Sequence, residues 1–303
     1  MSPKPDPSVI SNIATPDFAR LPDPARLFAR RAARLRALSS DARLGPYLRF
    51  LADLSEMLAG LAAELAPPAG VDAATIARNR SVRMPPIDRA ALIRSDDMAA
   101  IWTAVLDRAG GLAMPDPARA ALEALRSAPE ADRQALLAEL AADRVPEGFA
   151  APAAFAAAAL QLAASRLAAT LDPAQLVPIR TGICPSCGGL PQASIVTATI
   201  QLDGARYAAC ACCSTQWNEV RVKCLCCGST KGIGYRAIEG AAEEAAIRAE
   251  ICNECDSWVK ILYQNRDARL EPFADDIASL GLDALMRDTE WRRGGFNPFL
   301  VGY

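Results

Sequence analysis

The segment CPSCGGLPQASIVTATIQLDGARYAACACC, residues 184–213, contains two Cys-x-x-Cys pairs, which determine how the second half of the chain can fold. Two further pairs follow, CLCC at 224–227 and CNEC at 252–255. Thiolates three residues apart can bind one metal ion, and two such pairs complete a tetrahedral four-cysteine site. The sequence therefore predicts two metal sites, whose ligands are Cys184, Cys187, Cys210, Cys213, Cys224, Cys227, Cys252 and Cys255.

The spacing of the four pairs suggests how they combine. Between the first and second pairs lie 22 residues, and between the third and fourth lie 24, enough for a β-hairpin in each case. Only 10 residues separate the second pair from the third. This spacing favours two tandem modules, with an interleaved cross-brace as the alternative. Gly188 and Gly228 directly follow two of the pairs, where a positive φ lets backbone N–H groups turn toward the thiolates.

The donor set limits the chemistry of these sites. Four thiolates in tetrahedral geometry suit zinc and mononuclear iron equally. Neither ion would keep the open coordination position that metal-dependent hydrolysis requires. Two cysteines, Cys212 and Cys226, remain outside the predicted ligand set. We expect them to be small buried apolar residues, with redox chemistry or ligand transfer as the alternatives.

Composition excludes several classes of function. The 303-residue chain is 51% hydrophobic and contains no histidine. This removes Ser-His-Asp triads, Cys-His nucleophiles and mixed Cys/His zinc sites. No glycine-rich phosphate-binding loop occurs either. We therefore do not expect an enzyme.

Neither the opening residues nor the most apolar segment predicts a membrane protein. The opening MSPKPDPSVI lacks the apolar core of a secretory signal. The most apolar segment, residues 155–171, is interrupted by polar side chains. A cytoplasmic protein without membrane insertion is expected, in which reduced cysteines bind metal rather than form disulfides.

The first 180 residues, which contain no cysteine, predict an all-helical domain at 21–180 after a flexible arm at 1–20. Leucines recur every three or four residues from 48 to 65, and Asp-Pro dipeptides mark helix starts at Asp23, Asp116 and Asp172. Six to eight helices are expected, including segments at 47–65, 88–108, 117–127, 130–142 and 153–170.

After residue 180 the hydrophobic pattern changes from helical to strand-like. Short runs rich in β-branched and aromatic residues are separated by the Cys-x-x-Cys turns. The predicted fold is α plus small β: the helical domain, two tandem rubredoxin-like or zinc-ribbon modules at 181–222 and 223–265, and a C-terminal helix with a docking tail at 266–303. The predicted strands are 193–202, 205–209, 216–222, 232–238 and 258–263, and the C-terminal helix is 272–287.

Charge argues against nucleic-acid binding by the cysteine-rich half. Residues 184–255 carry six basic and seven acidic side chains. Each four-thiolate site with a divalent ion adds two negative charges. Phosphate binding needs clustered cations, so this region is not expected to bind nucleic acid. A basic run between Arg26 and Arg36 is expected to be the solvated side of a helix, with a face for an acidic partner or for nucleic acid as the alternative.

Several motifs in the second half together resemble one family. In chain order they are ICPSCG at 183–188, VRVKC at 220–224, CGSTKGI at 227–233, KILYQ at 260–264 and NPFL at 297–300. As an ordered set, after a helical first half, they are similar to FdhE, the formate dehydrogenase accessory protein family.

The resemblance implies a cytoplasmic maturation factor that contacts the immature catalytic subunit of formate dehydrogenase and has no substrate of its own. It also implies that the two four-cysteine sites are rubredoxin-like, with iron favoured and zinc the alternative. An electron-transfer or iron-handling protein is the second interpretation, and a zinc-ribbon nucleic-acid binder is the third. The oligomeric state does not follow from the sequence.

Overall fold

The computed structural model describes residues 15–40, 43–198, 204–238 and 244–300. Within these ranges eight α-helices form the first half of the chain and a sheet with two further helices forms the second. The first eight helices are α1 Pro24–Leu38, α2 Gly45–Glu64, α3 Ala73–Ser81, α4 Arg89–Leu92, α5 Asp96–Ala109, α6 Asp116–Ser127, α7 Glu130–Ala141 and α8 Ala150–Ala168. The predicted fold class, helices followed by a small β region with two cysteine clusters, is confirmed.

Capping residues determine where several helices begin. The side chain of Asp23 accepts a hydrogen bond from the backbone N–H of Arg26, and Pro24 occupies the first helical position.

The prediction of one continuous helix at 88–108 was wrong. Ser95 caps a new helix by accepting from the N–H of Met98 at 3.1 Å, so α4 and α5 are separate.

The basic run of α1 is only partly solvated. Arg26 and Arg30 are exposed, but Arg31 lies on the same face as Leu27, Phe28 and Leu35 and is 1% exposed. Arg31 follows Leu27 by four positions and Phe28 by three, and residues at these spacings lie on the same side of a helix. The prediction of a wholly solvated basic face was therefore wrong for Arg31.

Helix α8 forms the centre of the helical half. It contains mostly alanine, and its small side chains let the neighbouring helices approach closely around Phe155. It is the one described helix long and apolar enough to span a bilayer, yet 78% of its apolar window is buried inside the protein. That burial is typical of a core helix rather than a membrane span.

A single sheet unites the two cysteine-rich modules. Its strands are β1 Ala19–Arg20, β2 Pro191–Val196, β3 Arg206–Cys210, β4 Gln216–Glu219, β5 Ile233–Arg236, β6 Ile247–Cys252, β7 Ser257–Tyr263 and β8 Arg292–Arg293. The order across the sheet is β1-β4-β3-β2-β7-β6-β5, and β8 pairs with β7. Strands β2 and β7 are parallel, with Ser194 opposite Ile261, and this pairing joins the two modules into one sheet.

Most predicted strands match observed ones, but β1, β6 and β8 were not predicted, and β1 lies within the segment predicted as a flexible arm. Residues 199–202 of the first predicted strand lie outside the described residues, as do 1–14 of the predicted arm and 301–303 of the tail. The predicted helix at 272–287 is divided at Ser279 into α9 Pro272–Ala278 and α10 Leu280–Arg287.

The described part of the C-terminal tail lies against the helical half. The Phe299 ring meets Phe273 edge to face at 5.0 Å between centroids, and the Tyr47 hydroxyl donates to the Phe299 carbonyl oxygen at 2.8 Å. Phe299 is buried in the main core. The tail therefore contacts both α2 and α9.

Candidate metal centres

The structure brings the eight cysteines into two clusters of four. One contains Cys184, Cys187, Cys210 and Cys213, and the other contains Cys224, Cys227, Cys252 and Cys255; within each, all sulfurs lie within 4.8 Å of one another. The tandem grouping is therefore observed, and the interleaved alternative is not.

The sulfur separations fit a tetrahedral metal site. In the first cluster the distances are 3.6 Å from Cys184 to Cys213 and 3.5 Å from Cys187 to Cys210. In the second they are 3.7 and 3.8 Å for the corresponding pairs. A metal–sulfur bond of about 2.3 Å in tetrahedral geometry places ligand sulfurs roughly 3.8 Å apart. A disulfide would need about 2.05 Å, so both clusters have the dimensions of a metal centre.

The four Cys-x-x-Cys turns share one feature of their backbone conformation. Around the first turn the Cys184 N–H donates to the Gly189 carbonyl at 3.0 Å, and around the third the Cys224 N–H donates to the Ser229 carbonyl at 2.8 Å. The residue that follows each pair has a positive φ: Gly188 at 74°, Ser214 at 61°, Gly228 at 82° and Asp256 at 50°.

A positive φ was predicted only for the two glycines among these four positions. Ser214 and Asp256 were missed because neither is glycine, although their place directly after a pair was a usable signal. Aspartate is enriched at positive φ among non-glycine residues, which makes Asp256 the less surprising of the two.

Backbone N–H groups point at the sulfurs. The N–H groups of Cys212 and Cys213 donate to Cys210 Sγ at 3.3 and 3.4 Å. In the second cluster the N–H of Cys226 donates to Cys224 Sγ at 3.3 Å. Hydrogen bonds of this kind stabilise thiolate over thiol and are typical of metal-binding cysteine turns.

The first cluster requires a cation to hold four thiolates. Burial raises the pKa of Cys184 and Cys213 well above the usual range. Hydrogen bonds from Cys184 and Cys210 lower the pKa of Cys187 well below it. The neighbouring thiols therefore favour one ionised sulfur by themselves, and a bound divalent ion would supply the charge that ionises the others. The donor set and distances fit such an ion in both clusters.

The two clusters differ in burial. All four cysteines of the first are buried and belong to the same apolar core as the helices. The N–H of Ile87, between α3 and α4, donates to the Ser186 carbonyl inside the first turn at 3.0 Å. In the second cluster Cys227 is exposed and Cys255 is half-buried. Solvent therefore reaches the second site but not the first.

The two additional cysteines have different environments, and neither belongs to the four-sulfur clusters. Cys212 is buried, as predicted, beside the first cluster. Cys226 is exposed, so the prediction of a buried apolar residue was wrong for it. Its sulfur approaches Gly294 so closely that a Cβ on that residue would meet it at 2.1 Å. The backbone of Gly294 therefore lies against the thiol of Cys226, although the residue as a whole is exposed.

Comparison with known proteins covers nearly the whole chain. Three FdhE family models match in chain order: the N-terminal domain at residues 16–181, the central domain at 183–221 and the C-terminal domain at 222–300. A protein FdhE homolog of Rhizobium meliloti is 49% identical over 99% of this chain and 98% of its own length. One of Pseudomonas putida is 37% identical over 90% of this chain and 86% of its own.

A solved structure has the same fold. The crystal structure of the FdhE protein from Pseudomonas aeruginosa superposes with a TM-score of 0.83 at 32% identity, covering 94% of this chain and 99% of the other. The likeness includes both the helical half and the cysteine-rich half.

Proposed function

Because the chain belongs to the FdhE family, we propose that it is a cytoplasmic maturation factor required for active formate dehydrogenase, which binds the immature catalytic subunit. The observation that carries this proposal is the match to all three FdhE domains, in order, along the chain. The two closed cysteine clusters are consistent with a role in binding and assembly.

A non-enzymatic role is part of the proposal. In each cluster four protein sulfurs would fill the tetrahedral positions, which leaves none for substrate or water. The chain also has no histidine to act as a general base near neutral pH. The metal sites would therefore act as structural centres or as one-electron centres.

We propose that all eight clustered cysteines bind metal and that the two metal ions are iron, with zinc as the alternative. Iron would supply one-electron chemistry at either site, whereas zinc would contribute only to folding. The distances between sulfurs suit both ions, so the preference for iron comes from the family resemblance.

A gene deletion tests the maturation role. In a strain that lacks this gene, formate dehydrogenase activity should be lost while its catalytic polypeptide is still synthesised. Plasmid-borne expression of the intact chain should restore activity. Normal activity in the deletion strain would contradict the proposal. Co-purification of the catalytic subunit with the tagged chain tests the binding step separately.

The exposure of the second cluster favours electron transfer as a second candidate function. Cys227 is exposed and Cys255 half-buried, so a redox partner could approach this metal ion closely. The first cluster has no such access. Under this alternative, iron at the second site should be reduced and reoxidised by a partner, whereas a maturation factor needs no turnover of electrons.

A further inference from the structure

A cleft of about 530 Å³ lies where four parts of the chain meet. Its walls come from the segment at 20–23, helix α1, strands β2 to β4 and the start of α9. Ser214, which follows the last ligand of the first cluster, is part of the wall. The cleft therefore adjoins the first metal centre and the helical half at once, and its volume is in the range of small-ligand and peptide sites.

Arg31 lines the floor of this cleft, and two of its three guanidinium nitrogens form hydrogen bonds. Its Nη1 donates to Gln161 Oε1 at 3.0 Å and its Nη2 donates to Ser214 Oγ at 2.8 Å. Among the described residues, Nε has no hydrogen-bond partner. Oε1 of Glu271 lies 3.8 Å from it, too far for a hydrogen bond. A buried guanidinium N–H without an acceptor is unusual and points to a ligand or water in the space beside it.

Gln192 presents an unused acceptor on the same floor. It is 2% exposed, and within the described ranges its Oε1 has no hydrogen-bond partner. The two unsatisfied atoms are of opposite kind: Arg31 Nε can only donate, and Gln192 Oε1 can only accept. The lining of the cleft therefore offers one unused donor nitrogen and one unused acceptor oxygen to a bound group.

The rim of the cleft carries excess positive charge. Arg26 is offset by Asp23 at 3.3 Å, and Arg31 faces Glu271. Arg20 and Arg30 also line the cleft, and no ion pair joins either of them to a described acidic residue. Arg20 is held in place because its guanidinium stacks on Tyr207, 3.9 Å from the ring centroid. Because the whole chain has a net charge of −2, this local excess is a property of the cleft and not of the surface in general.

We propose that this cleft binds an acidic segment of a partner polypeptide. A glutamate or aspartate carboxylate would pair with Arg20 and Arg30 and accept from Arg31 Nε. A backbone N–H of the same segment would donate to Gln192 Oε1. This inference rests on the proposed function, since it assigns the partner's contact to a particular surface of the accessory protein.

A peptide satisfies the cleft better than a free carboxylate does. A small organic anion can accept from the arginines, but it has no donor for Gln192 and leaves that oxygen unpaired. An unpaired buried polar atom is unfavourable, so a ligand with an N–H next to its carboxylate is favoured. The peptide backbone supplies an N–H at every residue except proline.

Binding of a synthetic probe tests the proposal. The probe is a short fluorescein-labelled oligo-glutamate peptide, and an oligo-glutamine peptide serves as the comparison. Binding of each peptide to the full-length, metal-loaded protein is measured by fluorescence anisotropy. We expect the glutamate probe alone to bind. Arg30→Gln should weaken binding roughly two- to fivefold, because an exposed ion pair has a modest strength. Gln192→Glu places a negative charge, of the same sign as the probe, on the floor of the cleft and should weaken probe binding at least about tenfold.

Controls separate the cleft from general charge effects. Arg119 is an exposed arginine on helix α6 outside the cleft, and Arg119→Gln should bind the probe as the unsubstituted protein does. Circular dichroism and metal content should be unchanged in the Arg30 variant, since that side chain is exposed. Equal binding by the Arg30, Gln192 and Arg119 variants would overturn the proposal, as would absence of probe binding. Displacement of the probe by sodium acetate, but not by sodium chloride of equal ionic strength, would show a site for small carboxylates and overturn the peptide assignment.

Complementation distinguishes this inference from the proposed function. In the deletion strain, the Gln192→Glu and Arg30→Gln variants should restore less formate dehydrogenase activity than Arg119→Gln does. If all three restore full activity, the cleft is not the partner's contact, although the maturation role stands. If the deletion itself leaves activity unchanged, the maturation role fails, and probe binding still reports on the cleft.

Discussion

Nη2 of Arg206 lies 2.8 Å from Oε1 of Glu250, and both side chains are buried. Arg206 is in strand β3 of the first module and Glu250 is in strand β6 of the second. Arg206 also donates through Nη1 to the carbonyl of Lys223 at 2.9 Å, in the segment that connects the modules. This ion pair therefore links the two metal-binding modules across the shared sheet.

Loss of one partner of this pair should destabilise the cysteine-rich half. In Arg206→Met the Glu250 carboxylate remains buried without its cation, which typically costs about 3–5 kcal/mol. Replacing both residues, as Arg206→Met with Glu250→Leu, should recover most of that loss because no uncompensated charge remains. The free energy of unfolding in urea measures both effects.

The exposed pair of Arg36 and Glu56 provides the control, since roughly half of each side chain is open to solvent. Arg36→Met should change the free energy of unfolding by less than about 1 kcal/mol. A double variant at 206 and 250 that is no more stable than the single Arg206 variant would show that the ion pair is not the source of the loss.

Cysteine-to-serine variants distinguish ligands from neighbours. Cys184→Ser and Cys252→Ser should each lose one metal ion per chain and weaken the C-terminal half, because metal binding contributes directly to folding. Cys212→Ser and Cys226→Ser should keep both ions, since their sulfurs lie outside the two clusters. Elemental analysis of each purified variant gives the count. Loss of an ion from either neighbour variant would mean that the ligand sets are assigned wrongly.

The two sites should lose metal at different rates. The first cluster is buried throughout, whereas Cys227 of the second is exposed and Cys255 half-buried. A chromogenic chelator should therefore remove one ion quickly and the other slowly. In Cys252→Ser the fast phase should be missing, and in Cys184→Ser the slow phase should be missing. A single phase of release from the intact protein would contradict the difference in access.

The carboxylate of Asp276 should stabilise the fold equally at neutral and mildly acidic pH. Burial by itself would raise the pKa of Asp276, but Arg293 and Lys260 outweigh burial and lower this pKa below its usual value. Both cations contact the carboxylate, at 2.7 Å and 3.1 Å. A group with a lowered pKa contributes stability that is complete above its unfolded pKa of about 3.9 and is lost only as the pH falls through the lowered value.

Asp276→Asn should therefore lower the free energy of unfolding by about 1–3 kcal/mol, because Asp283 still pairs with both cations, and by the same amount at pH 7 and pH 5. Asp288→Asn is the matched control, because Asp288 is exposed; it should change stability by less than about 0.5 kcal/mol. Urea unfolding at the two pH values is the measurement. If Asp276→Asn destabilised the protein less at pH 5 than at pH 7, the pKa of Asp276 would not be lowered as its contacts with Arg293 and Lys260 imply.

Local patterns predicted the metal clusters and the helical half because both depend on short spacings. The ligands of each turn are three residues apart, and the leucines of α2 repeat every three or four residues. Strand β6 also had a signal: Ile247, Ala249 and Ile251 alternate with polar residues, and Ala249 and Ile251 are buried. That alternation was overlooked because β-branched content is low over most of the segment.

Contacts between distant segments could not be predicted in the same way. The parallel pairing of β2 with β7 joins residues far apart in sequence, and no local period encodes it. The burial of Arg31 depends on Gln161 and Ser214, which come from a different helix and from the second cysteine turn. The cleft is built from such contacts, so its existence follows from tertiary structure alone.

Metal content measured together with the visible spectrum, after purification without air, is the most direct test of the two proposed iron sites. We expect two iron ions per chain and a thiolate-to-iron charge-transfer absorption that bleaches on reduction. Two zinc ions and no colour would contradict the assignment of iron and leave both clusters as structural sites. Fewer than two metal ions per chain in the intact protein would contradict the metal sites themselves.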